Sequence, residues 1–457
     1  MSHSLAGAVA HATAAPHPRA ARAAVYRAVW RWHFYAGLLC LPFLILLSVT
    51  GALYLFKDEI ERTFTHRSVV VPGPGAPLST DRLIFNATQA VPEGRPVSFI
   101  DPVDASTSAV VALLENGRRI RVSLDPYTGD VLDRVGADDT LMMVVRRLHS
   151  LSYFGPVANG VIEVVAGFAI ILVVTGLYLW WPRGEGGAVT VRANPARRIW
   201  WRDLHAVTGL VAGGGLLFLA ATGLPWSIWW GQQVRALSNE AGLGQPRALW
   251  ADKAVSTVPM RALLGEVGWA MQDAPAPLSQ PGPDAIGPDQ AVAILRGLGM
   301  PRGFELALPV GETGIYAAAA YPRDVARQRM ISLDQYSGRP LVDVRFADLG
   351  FVARAIQYGI GLHKGEHWGR PNQLAMLAVC LATILLCVSA ATMWWKRRPP
   401  GGLGVPPWPG DRRVVAGATL IVVALGALFP LTGLAILAMI GIDLGLAALR
   451  GARRSPA

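Results

Sequence analysis

Long apolar segments alternate with long polar segments along this chain. About twenty apolar residues are enough for a helix to cross the hydrocarbon core of a bilayer. The apolar break near the C-terminal end falls at Pro430 and Gly433, which suit a tight hairpin between two such helices. The pattern therefore predicts six transmembrane helices, at 30–56, 159–181, 205–230, 370–395, 414–429 and 431–449.

Basic residues flank one end of each predicted helix and determine the expected orientation. Short cytoplasmic loops carry an excess of Lys and Arg, so both termini are predicted to be cytoplasmic, with loops at 182–204 and 396–413. The same distribution accounts for much of the net charge of +11 without nucleic acid. The basic residues are Arg19, Arg22, Arg27 and Arg31; Arg183, Arg192, Arg197, Arg198 and Arg202; Lys396, Arg397, Arg398, Arg412 and Arg413; and Arg450, Arg453 and Arg454.

The N-terminal segment and the cysteines narrow the protein class further. Residues 1–29 lack a separate apolar region and a cleavage site, so they are predicted to form a disordered cytoplasmic tail and not a secretory leader. Cys40, Cys380 and Cys387 all fall in predicted helices, which excludes a disulfide framework or a zinc cluster in the polar segments. The sequence C-x-x-C-H is absent, so haem is not attached covalently.

Two long polar segments, 57–158 and 231–369, face the side opposite the termini. Each contains Ser-Leu-Asp-x-Tyr-(Thr/Ser)-Gly between strand-like stretches, with a predicted short helix before it, at 80–91 and at 288–297. Each is therefore predicted to be a small α+β domain. Residues 232–286 are rich in Pro, Gly and Ala and are predicted to be an irregular insert.

The same motifs recur in the same order in both halves of the chain. His33 and His205 are each followed by Gly after four residues and by Thr-Gly after seventeen. His149 and His363 each precede a Gly by six residues and a Trp by thirty-one. The chain is therefore predicted to be a membrane α-helical bundle built from a duplicated helix–domain–helix unit.

The repeat places equivalent histidines at the same membrane face. A pseudo-two-fold axis along the membrane normal would bring His33 to His205 and His149 to His363. A single interfacial histidine is usually an amphipathic anchor, but four at matched positions favour axial ligation of two b-type haems. With both axial positions filled by imidazole, electron transfer is favoured over oxygen activation. His367 is an alternative ligand to His363.

Several glycines and arginines near these histidines are also candidates for a haem site, although they indicate one less specifically than the histidines do. Glycines let a flat macrocycle approach a helix, or they simply allow helix packing, and arginines can pair with propionates. Glu163 and Asp443 are acidic residues inside predicted helices, either functional or reaching the interface. The candidate glycines are Gly37, Gly51, Gly176, Gly209, Gly213–Gly215 and Gly223, and the candidate arginines are Arg31, Arg146, Arg147 and Arg202.

Four features of the sequence occur together: the W-H-x-x-x-G…T-G openings, the doubled SLDxYxG motif, the LH…G segments and the closing LFPLTGLAILAMIGIDL. In this combination the chain resembles the PepSY-associated transmembrane family over residues 28–448. The resemblance implies two periplasmic PepSY-like domains and a multi-pass protein of the bacterial inner membrane. Members include iron-regulated proteins and siderophore reductases with two b-type haems, which implies haem at His33, His205, His149 and His363. Some relatives carry a fused flavin and nicotinamide domain, and this chain has no room for one after Arg450.

The expected function is therefore that of an oxidoreductase. Electrons from a separate cytoplasmic or membrane donor would reach a periplasmic acceptor, best matched by a ferric siderophore docked between the two outer domains. The alternatives are a haem-free PepSY protein that regulates a protease or senses a signal, and a transporter with pseudo-symmetric halves.

Overall fold

The structure is a computed structural model that describes residues 18–65, 69–181, 189–192, 194, 196–406 and 412–452. The helices in these ranges are α1 (Pro18–Leu55), α2 (Lys57–Thr65), α3 (Thr80–Ala90), α4 (Leu141–His149), α5 (Pro156–Trp180), α6 (Arg198–Gly223), α7 (Trp230–Glu240), α8 (Met260–Leu263), α9 (Pro288–Gly297), α10 (Phe351–His363), α11 (Arg370–Arg397), α12 (Arg412–Leu428) and α13 (Pro430–Ala452). The strands are β1 (Arg95–Ile100), β2 (Ala109–Glu115), β3 (Arg118–Leu124), β4 (Val131–Gly136), β5 (Val255–Pro259), β6 (Pro275–Pro277), β7 (Glu305–Ala307), β8 (Ile315–Ala320), β9 (Arg329–Asp334) and β10 (Pro340–Arg345).

The described chain divides into two compact units. The first contains residues 1–41, 171–210 and 389–457, and the second contains residues 42–170 and 211–388. His33 and His205 belong to the first unit, whereas His149, His363 and all ten strands belong to the second.

Among the residues that the structure describes, four helices are long and apolar enough to cross a membrane: Arg22–Leu55 of α1, α5, α6 with its 3₁₀ extension to Trp226, and α11. They correspond to the first four predicted spans. The remaining two predictions fall on α12 and α13, whose described apolar stretches, Thr419–Leu428 and Pro430–Ile442, are shorter. The helix break before Pro430 lies where it was predicted.

Helix α1 begins much earlier than the predicted first span. The prediction of a disordered tail is wrong for residues 18–29, which are helical, while residues 1–17 lie outside the described residues. Proline favours the first position of a helix, and alanine and arginine favour its interior. The residues before the predicted span therefore continue its helix towards the N-terminus. Ala24, Ala28 and Arg31 are buried on one face of this extension.

The two predicted outer domains form one antiparallel sheet. Its eight strands run in the order β10-β9-β8-β7-β1-β2-β3-β4, so the halves join where β1 pairs with β7. Phe99 lies opposite Leu306 in this pairing. The Ser-Leu-Asp motifs form matching turns, in which Asp125 accepts from the backbone N–H of Tyr127 and Asp334 from that of Tyr336.

Both halves of the sheet also share one hydrophobic core. Helices α3 and α9 contribute Leu83 and Leu295, which lie in one buried cluster with Phe99 of β1 and Leu306 of β7. Because the halves are joined by a strand pair and a common core, the predicted docking cleft between two separate domains is wrong at this junction.

The insert at 232–286 is more ordered than predicted. It contains α7, α8 and a two-stranded sheet of β5 and β6. Met260 and Leu264 lie in a second core with residues of β7 to β10. Trp269 is fully buried and donates its indole N–H to the carbonyl of Pro225, 2.8 Å away, beyond the end of α6. The prediction of an irregular insert is therefore wrong, since apolar side chains spaced along it cover the sheet.

Glu163 has a structural role within α5. Its buried carboxylate accepts from the backbone N–H groups of Trp229, at 3.0 Å, and Trp230, at 3.2 Å, where α7 begins. The first N–H groups of a helix lack partners inside the helix, so this carboxylate satisfies two of them. Asp443 has no described side chain.

We expect Phe99→Ala to disturb both halves of the sheet, because its side chain is 1% exposed in the shared core. The free energy of unfolding should fall by about 3–5 kcal/mol. Hydrogen exchange read by mass spectrometry should show faster exchange in β8 and β9 as well as in β2 and β3. The control is Phe85→Ala, since Phe85 is 52% exposed and its loss should change stability by about 0.5 kcal/mol or less. Faster exchange confined to β1–β4 would contradict a shared core.

Candidate functional site

The first histidine pair consists of His33 on α1 and His205 on α6. Their ring centroids are 6.4 Å apart and their planes are nearly perpendicular, at 85°. Two metal–imidazole bonds of about 2 Å each, together with the radii of the two rings, place the centroids about 6 Å apart when one metal ion lies between them. The observed separation therefore fits two axial ligands of one iron.

A hydroxyl from a neighbouring helix holds each ring of this pair. Nδ1 of His33 lies 2.9 Å from Oγ1 of Thr175 on α5, and Nδ1 of His205 lies 3.1 Å from Oγ of Ser389 on α11. With Nδ1 engaged, Nε2 is the nitrogen suited to a metal.

The second histidine pair consists of His149 and His363, the last residues of α4 and α10. Nδ1 of His149 lies 2.9 Å from Oγ1 of Thr50 on α1, and Nδ1 of His363 lies 2.8 Å from Oγ1 of Thr222 on α6. Both pairs therefore use the same kind of contact, an imidazole on one helix and a hydroxyl on another.

The surroundings keep the second pair uncharged. Burial lowers the pKa of His149 to about 4, and burial together with the nearby charge of His149 lowers the pKa of His363 to about 4. Both rings are therefore neutral near pH 7. Neutral imidazole is the form that ligates a metal.

Three of the predicted glycines lie directly against these rings. A Cβ built on Gly51 would lie 3.4 Å from Cε1 of His149, one on Gly176 would lie 3.3 Å from Cε1 of His33, and one on Gly223 would lie 3.7 Å from Cε1 of His363. Each follows a threonine that contacts the same ring. Gly37 and Gly215 instead face Leu172 and Val379, and therefore serve helix packing.

The four arginines proposed to pair with propionates have partners within the protein. Arg31 is buried and donates to the carbonyl of Pro406. Arg202 pairs with Asp203 at 2.8 Å, and Arg146 lies 3.7 Å from Glu266. Arg147 lies over the ring of Tyr153. These arginines lie close to the histidines along the chain, but their observed partners do not identify them as ligands of an anion.

His367 lies in a different environment from His363. Its ring is 5.3 Å from the ring of Tyr358 and 5.2 Å from that of Trp368. The structure thus places His363, and not His367, at a repeat-matched hydroxyl near His149. His66 and the histidines of residues 1–17 lie outside the described residues.

Thr175 and Ser389 are the site residues that sequence reasoning missed. Each lies 26 residues after an equivalent histidine, His149 or His363, so the repeat contained a signal for them.

The described residues contain no group of three or more His, Cys, Asp or Glu side chains that could hold a metal ion.

Comparison with known protein families gives a match that covers most of the chain. The model of the PepSY-associated TM region matches residues 30–397, a range that includes all four paired histidines. A search of the curated proteins finds no match. Since the matched range covers well over half of the chain, this protein belongs to the PepSY-associated transmembrane family.

Proposed function

We propose that this protein is a membrane electron carrier that binds two b-type haems, one at each histidine pair. The observation that carries the proposal is the separation and near-perpendicular arrangement of His33 and His205, with both Nδ1 atoms held by hydroxyls. The second pair repeats the same hydroxyl contacts at His149 and His363. When bound, each haem would supply reversible one-electron transfer, and the two histidines of its pair would hold it.

The direction of electron flow follows from charge. The basic clusters favour cytoplasmic termini, so electrons from a separate cytoplasmic or membrane donor would enter at the first pair. The second pair belongs to the same unit as the eight-stranded sheet, which would then face the periplasm of a bacterial inner membrane. The acceptor is accordingly expected beside the second pair.

A small cavity near His363 supports an anionic acceptor. Four cations lie on its wall and are paired with three carboxylates, which leaves an excess of one positive charge. Lys57 and Lys364 pair with Glu366, Arg323 with Asp58, and Arg370 with Glu59. Burial lowers the pKa of Lys57, but the charge and hydrogen bond of Glu366, together with the charges of Tyr54 and Asp58, raise it above its ordinary value and keep the ammonium group charged. The charged residues that line the cavity are Lys57, Asp58, Arg323, Lys364, Glu366 and Arg370.

A ferric siderophore is the acceptor class that this charge suits best, docked at the mouth of the cavity, which is too small to enclose it. Its hard oxygen donors hold Fe(III), and one electron converts the metal to Fe(II), which these donors hold less well. The protein would then act as a ferric reductase that releases iron. Haem ligation explains why all four imidazoles are held by hydroxyls in the same way. A haem-free regulatory role or transport does not explain this repetition.

Haem content tests the central proposal. The reduced-minus-oxidised spectrum of the purified protein should be that of a b-type cytochrome with two haems per chain. We expect His33→Ala and His205→Ala each to remove one haem, and His149→Ala and His363→Ala each to remove the other, because both members of a pair ligate the same iron. A colourless wild-type protein would overturn the proposal and favour a haem-free role.

His367→Ala is the matched control for the second pair. Its ring packs among aromatic side chains, so the variant should keep two haems. If His363→Ala kept both haems while His367→Ala lost one, the ligand assignment at this position would be reversed.

Stopped-flow oxidation tests the acceptor. Mixing dithionite-reduced protein with a ferric siderophore should oxidise its haems. Arg323→Gln should slow this several-fold at low salt, since Arg323 lines the cavity and is 57% exposed. The difference should shrink at about 0.5 M salt, where charges are screened. The control Arg118→Gln removes an exposed arginine, paired with Asp139 at 2.9 Å on the sheet. Haems that stay reduced with every ferric chelate would refute the reductase role while leaving the electron carrier.

A further inference from the structure

We infer that Thr50, Thr175, Thr222 and Ser389 are positioning residues that hold each imidazole with its proton on Nδ1 and thereby lower the reduction potential of the bound haem. The inference rests on the proposed function, since it concerns the ligands of that cofactor. Each hydroxyl lies 2.8–3.1 Å from Nδ1 of one histidine.

The direction of these hydrogen bonds follows from counting protons. A threonine hydroxyl has one proton, and in three cases that proton is directed to a backbone carbonyl one turn earlier. Thr50 donates to Leu46 at 2.6 Å, Thr175 to Ile171 at 2.6 Å and Thr222 to Phe218 at 2.7 Å. Each oxygen must then accept from the imidazole. Nδ1 therefore carries the proton, and Nε2 keeps the lone pair that a metal needs.

The glycine after each of these threonines supports the same conclusion. Gly51, Gly176 and Gly223 lie 3.3–3.7 Å, measured from a built Cβ, from Cε1 of the ring held by the preceding threonine. A Cβ at that distance would contact the ring, so each glycine leaves the ring edge between the two nitrogens free of a side chain. The threonine thus sets the tautomer, and the glycine leaves room beside the imidazole.

The fourth position differs in composition. His205 is held by Ser389, which is fully buried, and Ala390 follows where the other three positions have glycine. Serine offers the same hydroxyl oxygen without the methyl group of threonine. The first pair is therefore held by one threonine and one serine, whereas the second pair is held by two threonines.

The chemical consequence concerns the stability of ferric iron. A hydrogen bond from Nδ1–H to an acceptor makes the imidazole a stronger electron donor at Nε2. A stronger donor stabilises Fe(III) more than Fe(II), so the acceptor oxygen lowers the midpoint potential. Removing the oxygen should raise the potential of the haem at that pair and weaken its binding.

The competing explanation is that these threonines are ordinary helix residues, since a buried hydroxyl commonly bonds the carbonyl one turn earlier. Thr383 on α11 provides the matched control. It is 2% exposed and donates to the carbonyl of Val379 at 2.8 Å, as the other threonines do, and the described structure gives it no imidazole partner. A purely structural effect would appear at Thr383 too.

The test compares Thr→Val and Thr→Ser at two positions with Thr383→Val. Valine keeps the shape and removes the oxygen, whereas serine keeps the oxygen. We expect Thr175→Val to raise the midpoint potential of one haem and Thr222→Val that of the other, each with about a 10–100-fold loss of haem affinity. Spectroelectrochemical titration measures the potentials, and haem transfer to an apo-protein acceptor measures affinity. Thr175→Ser and Thr222→Ser should restore both, and Thr383→Val should change neither.

The outcomes separate this inference from the proposed function. Wild-type protein with two haems, combined with unchanged potentials in Thr175→Val and Thr222→Val, would overturn the inference and leave the electron carrier intact. A shift in Thr383→Val as large as theirs would also overturn it. Wild-type protein without haem would overturn the proposed function itself. If Thr175→Val does not fold, Thr50→Val with Thr50→Ser supplies the same comparison at the second pair.

Discussion

Imidazole–hydroxyl hydrogen bonds between helices are the interactions on which the candidate sites depend. A buried polar side chain must find its partner within the protein, because apolar surroundings offer none. His33 meets this requirement through Thr175, and His149 meets it through Thr50. Each bond joins two helices and fixes one ring nitrogen, so the requirement that stabilises the histidine also orients it.

The acidic residue of α5, Glu163, likewise has its hydrogen-bond partners within the protein. Glu163 in isolation would be a candidate for proton or ion handling, as ionisable residues within membrane helices generally are. Its two acceptor contacts, to the N–H groups of Trp229 and Trp230, instead make it the end cap of α7. The insert that follows is thereby attached to a membrane helix. Burial of Trp269 against Pro225 provides a second attachment within the same unit.

The eight-stranded sheet gives the second unit its rigidity. The β1–β7 pairing and the core shared by α3 and α9 make the two halves one body rather than two modules on separate stalks. A single body of this kind would suit the proposed redox site, since reorganisation of the surroundings opposes electron transfer. The charged cavity beside His363 lies in the same unit, which keeps the proposed acceptor position fixed relative to the second pair.

Much of this architecture was determined by the sequence itself. Four apolar spans, the helices at 80–91 and 288–297, and the four histidines follow from spacing along the chain, because helix periodicity and a duplicated unit are visible in residue numbers alone. The hydroxyl partners follow the repeat as well: Thr50 and Thr222 belong to the Thr-Gly motifs, and Thr175 and Ser389 lie 26 residues after His149 and His363.

Tertiary structure decided the rest. Thr175 contacts a histidine 142 residues away, and β1 pairs with a strand from the other half, so neither contact has a local signature. The choice between His363 and His367, four residues apart on the chain, depends on which side of the chain meets α6. The helix over residues 18–29 agrees with local propensity, whereas the ordered insert depends on packing, because buried side chains such as Trp269 compensate for weak local preference. Spacing identifies which residues can act together, but only the folded chain brings a hydroxyl to the right nitrogen.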